Sequence, residues 1–358
     1  MNPNEISDKR NFKEFRGITF SKFKKSDAKK ELLNSLINGR IEPACYWSAE
    51  YICAGHYLDL WEIIILFFSK YIHLGNPKLP LYVQMRFNDF KNIVVNGYIG
   101  NEIKMRNNPK IRILFAEIIS ILALSDKKHN LSPVKVNKNA FNMQEITDKL
   151  KADNVQYANK IFLHDDPKEL FIALNEFGYN LSSSKNNTIQ CCYWLEWIIE
   201  FESVCKREKK ILYCASRQIA DVEEKLKKDI IWMVWELILL EASNRGRNIK
   251  KLVNALLDIF SIRYKSGCKK RRRFIIYNAI SLITDTVNFK KSIINDEAKI
   301  ELVKGKIDII YKQIKKNEIR PATDYLFNNS FTGGEKNLEN TIKKLDKMNN
   351  MLYIPRDK

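Results

Sequence analysis

The chain has 358 residues, with 61 Lys and Arg against 42 Asp and Glu and a formal charge of +19. Its 45% apolar and 11% aromatic residues can bury the cores of two ordinary domains, and 12 Gly and 9 Pro are too few for a turn-rich all-β fold. The cation excess implies attraction to polyanions such as nucleic acid, an anionic membrane or an acidic protein, or else a solubility charge from a lysine-heavy, AT-rich genome.

Residues 1–25 are charged and aperiodic and read as a flexible basic arm, carrying Lys9, Arg10, Lys13, Arg16, Lys22, Lys24 and Lys25. With no apolar run there, neither a signal peptide nor a membrane anchor is expected. Ser26-Asp27 then caps a helix over 28–38, ended by Gly39. Pro43 suits the first turn of a helix through Ala54, closed by Gly55. A third helix is expected over 57–74, stopped by Gly75-Asn76-Pro77. Pro80 opens a fourth, to Asn96-Gly97, and Asn107-Asn108-Pro109 starts a fifth over 110–125.

Residues 126–142 are weakly patterned around Ser132-Pro133 and read as a linker. Helical patterning resumes at Met143. Asp165-Asp166-Pro167 caps a helix over 168–179, followed by helices over 188–210, 222–243, 249–264 and 271–283. A long amphipathic helix over 296–316 precedes a polar end with Gly333-Gly334 and a short charged helix over 338–348. The most apolar stretches, 63–68 and 230–240, are shorter than the roughly 20 residues a bilayer span needs.

The two halves share motifs in one order. Lys30-Glu31-Leu32 resembles Lys168-Glu169-Leu170, and Cys45-Tyr46-Trp47 recurs as Cys192-Tyr193-Trp194. Leu60-Trp61-Glu62-Ile63-Ile64 recurs as Val234-Trp235-Glu236-Leu237-Ile238. Lys110-Ile111-Arg112 with Ile119-Ser120-Ile121-Leu122 recurs as Arg271-Arg272-Arg273 with Ile280-Ser281-Leu282-Ile283. The expected architecture is therefore all-α, two divergent tandem helical bundles arising by internal duplication. The first repeat covers 26–125 and the second 143–290, with a long C-terminal helix and polar tail over 291–358. The second copy carries an insertion around 205–228.

No P-loop and no dinucleotide-binding glycine fingerprint occurs, so no cofactor is expected. Cys53 and His56 lack a second close pair for zinc, so no metal is expected either. Seven Cys, mostly in apolar helical segments, read as reduced thiols of an intracellular chain. Glu62 and Glu236 hold matching places in apolar helices, where a carboxylate needs a partner. They are either members of structural ion pairs or an acid/base pair.

The basic clusters carry the most weight. Lys265, Lys269, Lys270, Arg271, Arg272 and Arg273 surround one helix start, and Lys104, Arg106, Lys110 and Arg112 surround the matching one. Helix N-termini also favour phosphate. With no base-reading module, contact is expected to be backbone-directed and strongly salt-dependent. A solvated face or a nuclear-import signal at 269–273 are the alternatives.

The segments Ala44-Cys45-Tyr46-Trp47-Ser48-Ala49-Glu50, Trp61-Glu62-Ile63-Ile64 and Lys70-Tyr71-Ile72-His73-Leu74-Gly75-Asn76-Pro77-Lys78-Leu79 resemble uncharacterised proteins of nucleocytoplasmic large DNA viruses, mimivirus relatives in particular. The resemblance covers about residues 28–125 and implies context only: a cytoplasmic virus factory, the host nucleus or the virion. The expected function is thus a non-enzymatic basic protein binding a polyanion, most readily nucleic acid. A minor capsid or core component meeting capsid proteins is the second reading, and an enzyme using Glu62 and Glu236 the third.

Overall fold

The structure, a computed structural model, describes residues 4–319 and 334–352. These residues are helical, with no β-strand among them beyond a single bridge between Ile18 and Lys24. In chain order the helices are α1 (Lys25–Ile37), α2 (Ile41–Cys53), α3 (Tyr57–Phe67), α4 (Leu79–Val95), α5 (Pro109–Leu124), α6 (Met143–Thr147), α7 (Gln156–Asn159), α8 (Phe171–Leu181), α9 (Thr188–Arg207), α10 (Ile231–Asn244), α11 (Arg247–Ser261), α12 (Cys268–Arg271), α13 (Arg273–Thr284), α14 (Glu297–Lys315) and α15 (Gly334–Leu352). They fall into two compact units, Met1–Phe67, Met85–Lys127 and Ser292–Lys358 in the first and Phe68–Gln84 and Lys128–Lys291 in the second.

The first unit is built round α2. Every residue of α2 is buried, as expected of a helix that is apolar on all faces, and α1, α3, α5, α14 and α15 pack on it. A ring seam joins α3, α4 and α5, with Trp61 5.1 Å from Phe87 and 5.5 Å from Phe115 between centroids. α5 starts where its sequence says it should: the Asn108 side chain accepts from the Lys110 N–H at 2.9 Å, and Pro109 sits in the first turn. α14, expected to stand apart with the tail, instead packs on α2 and α5 inside this unit. Within the expected polar tail, α15 also packs on α2, burying Leu345 and pairing Asp346 with Arg40.

The expected flexible arm is folded. Phe15 and Phe20 are fully buried, and the Arg10 guanidinium lies 4.7 Å from each ring centroid while chelating Asp8. Asn107 exchanges hydrogen bonds with both backbone groups of Ile6, and the His56 Nε2 lies 2.9 and 2.8 Å from the Phe15 and Ile18 carbonyls. The buried Glu50 carboxylate accepts from the Ser21 N–H and hydroxyl. Counting charges suggested a solvated arm; the aromatic residues between the charges decided the outcome.

The second unit is built round α13, whose residues from Phe274 to Ile283 are all buried. α8 and α9 pack together, as do α10 and α11, where Trp232, Trp235, Phe260 and Tyr264 interleave. The expected third helix loses α geometry at Phe68. Residues Phe68–Ile72 form a π-helical turn, and His73 follows with φ +47. The segment read as a linker bonds three carbonyls of this turn: the Asn130 side chain donates to Ser69, the Asn130 N–H to Lys70 and the Lys128 N–H to Ile72.

Two of the four shared motifs lie wholly on helices of the same order in each unit, α2 and α9, α3 and α10; in the fourth, Lys110-Ile111-Arg112 lies in α5 while Arg271-Arg272-Arg273 straddles α12 and the start of α13. Lys168-Glu169-Leu170 instead forms a 3-10 turn ahead of α8. The central helix also differs: α2 carries the first motif pair, α13 the last. Common order with different centres does not establish a duplication.

Candidate polyanion interface

Four of the ten cations expected to meet a polyanion are buried and committed to the fold. In the first unit Arg106 is buried and donates to the Cys53 and Asp8 carbonyls. Arg112 is buried over the Tyr311 ring and donates to Asp308 at 2.7 Å and to the Arg106 and Asn4 carbonyls. Lys104 and Lys110 are exposed. This unit therefore offers two of the four expected contacts, since a buried guanidinium spending its donors on carbonyls cannot also reach a phosphate.

In the second unit the acids of α9 meet the basic run rung by rung. Glu196 pairs with Arg273 at 2.9 Å, Glu200 with Lys270 at 3.1 Å and Glu202 with Lys269 at 2.6 Å. Burial pushes the Glu196 carboxyl above its ordinary value, opposed by Arg273 and the Tyr277 hydroxyl. Arg272 is buried and donates to the Phe260 and Ile262 carbonyls. Lys265, Lys270 and Arg271 are exposed, and Arg273 is half-buried. Of this expected set, Lys269 and Arg272 are corrected to packing residues. No helix period could reveal them as such, because their partners come from other segments.

Lys269 is the clasp of a new arrangement. Only 3% exposed, it lies 2.6 Å from both Glu202 and Asp229. Glu202 also pairs with Lys206 at 3.0 Å, Lys206 reaches Ser266, and the Cys214 thiol donates to the Asp229 carbonyl. The end of α9, the loop over 208–230 and the α11–α12 connection are thus tied to one buried node.

Around that node the exposed side chains are strongly basic. Lys206, Arg207, Lys209 and Lys210 come from the end of α9. Arg263, Lys265, Lys270 and Arg271 come from the α11–α12 connection. Glu200 is shared by Arg207 and Lys270, while the loop acids Glu223 and Glu224 pair with Lys225 and Lys227. Among the described residues no acid pairs with Lys209, Lys210, Arg263 or Lys265 within ion-pair distance.

Backbone geometry adds to this. α9 ends with Lys210 N–H on the Cys205 carbonyl and Lys209 N–H on the Lys206 carbonyl, a Schellman closure. Its left-handed residue is Lys209, φ +62, and after α11 it is Arg263, φ +43. Glycine is the favoured residue at such positions, and a side chain there costs about 1 kcal/mol. Both helices carry a cation instead. Helix-dipole compensation explains Lys206 and Arg207 in the last turn, but it falls off beyond that turn. Lys206, Arg207, Lys209 and Lys210 were missed in the sequence because α9 was expected to continue through Lys210, with its charges spread round a helix.

The same loop supplies a partner for one of the paired carboxylates. Glu236 and Glu62 belong to different units, and Glu236 receives Arg217 at 2.6 Å. Arg217 is 3% exposed and also grips Asp166 at 2.6 Å and the Ile161 carbonyl at 2.9 Å. The seven Cys are buried and free, and burial raises the Cys45 and Cys214 thiols to about 12, against thiolate chemistry. Among the described residues no group of three His, Cys, Asp or Glu side chains is placed to hold a metal, and no helix is long and apolar enough to cross a membrane. Comparison with family models, curated proteins and solved structures yields no match.

Proposed function

We propose that the second unit binds the phosphate backbone of nucleic acid through the basic surface at the end of α9 and the α11–α12 connection. One observation carries this: Lys209, Lys210, Arg263 and Lys265 are exposed, not ion-paired and gathered on segments tied to the Lys269 node. Flexible lysines suit a sequence-independent contact, in which released counterions supply the free energy. Of the acids on these segments, Glu200, Glu223 and Glu224 are paired with other cations, whereas the exposed Glu208 stands between Arg207 and Lys209 and offsets part of the charge. The buried Lys269 and Arg272 and the half-buried Arg273 hold the face in shape and do not touch the ligand.

The test is anisotropy of a labelled single-stranded oligonucleotide titrated with the full chain over a range of salt. Binding at about 50 mM salt should weaken steeply by about 200 mM, with a log–log slope of roughly 0.7 per neutralised phosphate. The triple variant Lys209→Gln, Lys210→Gln, Lys265→Gln should fold normally and flatten that slope. No binding by the unaltered chain at low salt, or a slope the triple variant leaves unchanged, would refute the assignment.

A further inference from the structure

The 208–230 loop presents apolar side chains beside these cations. Ile211 is 60% exposed and Tyr213 is 57% exposed, while Leu212 is half-buried and Cys214 is buried. That alternation places Ile211 and Tyr213 on one outward side of a non-helical stretch. Its register is held by the Cys214 N–H on the Lys228 carbonyl at 3.0 Å and the Arg217 N–H on the Lys227 carbonyl at 3.1 Å. Arg217, clamped by Asp166 and Glu236, fixes the loop from beneath. The outward ring is thus carried on an anchored segment, which lowers the ordering cost of using it.

Tyr213 lies four residues beyond Lys209, within about 14 Å of it along the chain. A phosphate backbone gripped by Lys209 and Lys210 would carry its bases past that ring. Bases of a duplex present only edges; bases of a single strand present open faces, which stack on aromatic rings whatever their sequence. An anionic bilayer would also meet basic residues and a tyrosine. It would need a broader apolar face than Ile211 and Tyr213 provide, with Leu212 and Cys214 turned inward.

We propose that Tyr213 is a base-stacking subsite and that the ligand of this surface is single-stranded nucleic acid. The subsite presupposes the backbone-binding surface described above. It extends that surface by assigning strandedness, and it places the contact in a loop that the first unit lacks.

The experiment compares the full chain with Tyr213→Ala and Tyr213→Trp on three probes: a single-stranded oligothymidine, a duplex of equal length, and vesicles of phosphatidylserine and phosphatidylcholine. Circular dichroism checks that each variant folds. Tyr213→Ala should weaken single-strand binding about tenfold at every salt concentration, leave the salt slope unchanged and spare duplex binding. Tyr213→Trp should match or exceed the unaltered chain. Salt-dependent binding that Tyr213→Ala leaves intact would overturn the stacking subsite alone. Equal losses on single strand and duplex would also overturn it, as would a loss confined to vesicles. Failure of the unaltered chain to bind either nucleic acid would remove the backbone surface and the subsite with it.

Discussion

Two irregular segments of similar basic character meet opposite fates. Residues 4–24 carry Lys9, Arg10, Lys13, Arg16, Lys22 and Lys24 and turn Phe15, Phe20 and Phe23 inward, with Arg10 buried against Phe15 and Phe20, while Phe12 stays 58% exposed. The 208–230 loop also buries one arginine, Arg217, yet leaves Ile211 and Tyr213 facing water beside Lys209 and Lys210. In both, a buried arginine bound to carboxylate pins the chain. The segments differ in where the remaining side chains go. In the first, Phe15, Phe20 and Phe23 complete a core; in the second, the loop body packs through Cys214 and Arg217 and leaves Tyr213 outside. Charge content alone does not separate a packed segment from a solvated one, because similar basic residues stand beside mostly buried rings in one and beside an exposed Tyr213 in the other.

The largest effects should come from the two pins. Arg217→Met leaves Asp166 uncompensated, and Arg10→Met does the same to Asp8, so each should cost about 3–5 kcal/mol by denaturant unfolding. Burial raises the Asp8 carboxyl, but Arg10 and the Ile319 and Arg10 N–H groups outweigh it and hold it below its ordinary value. A stable Arg10→Met chain would mean the N-terminal segment is not pinned as described and would erase the contrast between the two segments.

The next effect is acid sensitivity. His73 is buried, neither ring nitrogen has a hydrogen-bond partner, and burial lowers its pKa from 6.5 to about 4, with Asp285 opposing and Lys128 reinforcing. A depressed folded value means the unfolded chain takes the proton first. The stability contributed by neutral His73 is therefore complete above pH 6.5 and is lost as pH falls towards about 4. That loss amounts to about 3 kcal/mol. His73→Asn, whose side chain tolerates the left-handed backbone, should flatten this part of the stability profile; an unchanged profile would show that the titration lies elsewhere.

Smaller still, Lys209→Gly should raise stability by about 1 kcal/mol by relieving the left-handed side chain, and should remove one counterion from the salt slope of binding. A stability gain without the change in slope would place Lys209 outside the interface. Smallest of all, Lys210→Gln should shift stability by less than about 0.5 kcal/mol, in sharp contrast to Arg10→Met in the opposite segment.

Helix positions were largely legible. The caps at Asn108-Pro109, the breaks after Gly39 and Gly55, and the apolar spacing of α5 and α14 are local signals that act within a few residues. Where a local rule failed, a distant partner had intervened. The third helix gives way to a π turn, three of whose carbonyls accept from Lys128 and Asn130. The helix expected from Val222 begins at Ile231, after Asp229 has been drawn into the Lys269 node and its carboxylate accepts the Ile231 N–H. The candidate site was legible only as a basic run at 265–273: the sequence could not separate the exposed Lys265, Lys270 and Arg271 from the buried Lys269 and Arg272.

By itself the sequence determined an all-helical chain, the approximate extent of its longer helices and a large positive charge, because hydrophobic period, caps and composition are properties of neighbouring residues. Only the tertiary structure decided which cations face water. A lysine is a packing residue or a surface charge according to whether a carboxylate arrives from elsewhere in the chain. Lys269 meets Glu202 and Asp229, while Lys209 meets none among the described residues.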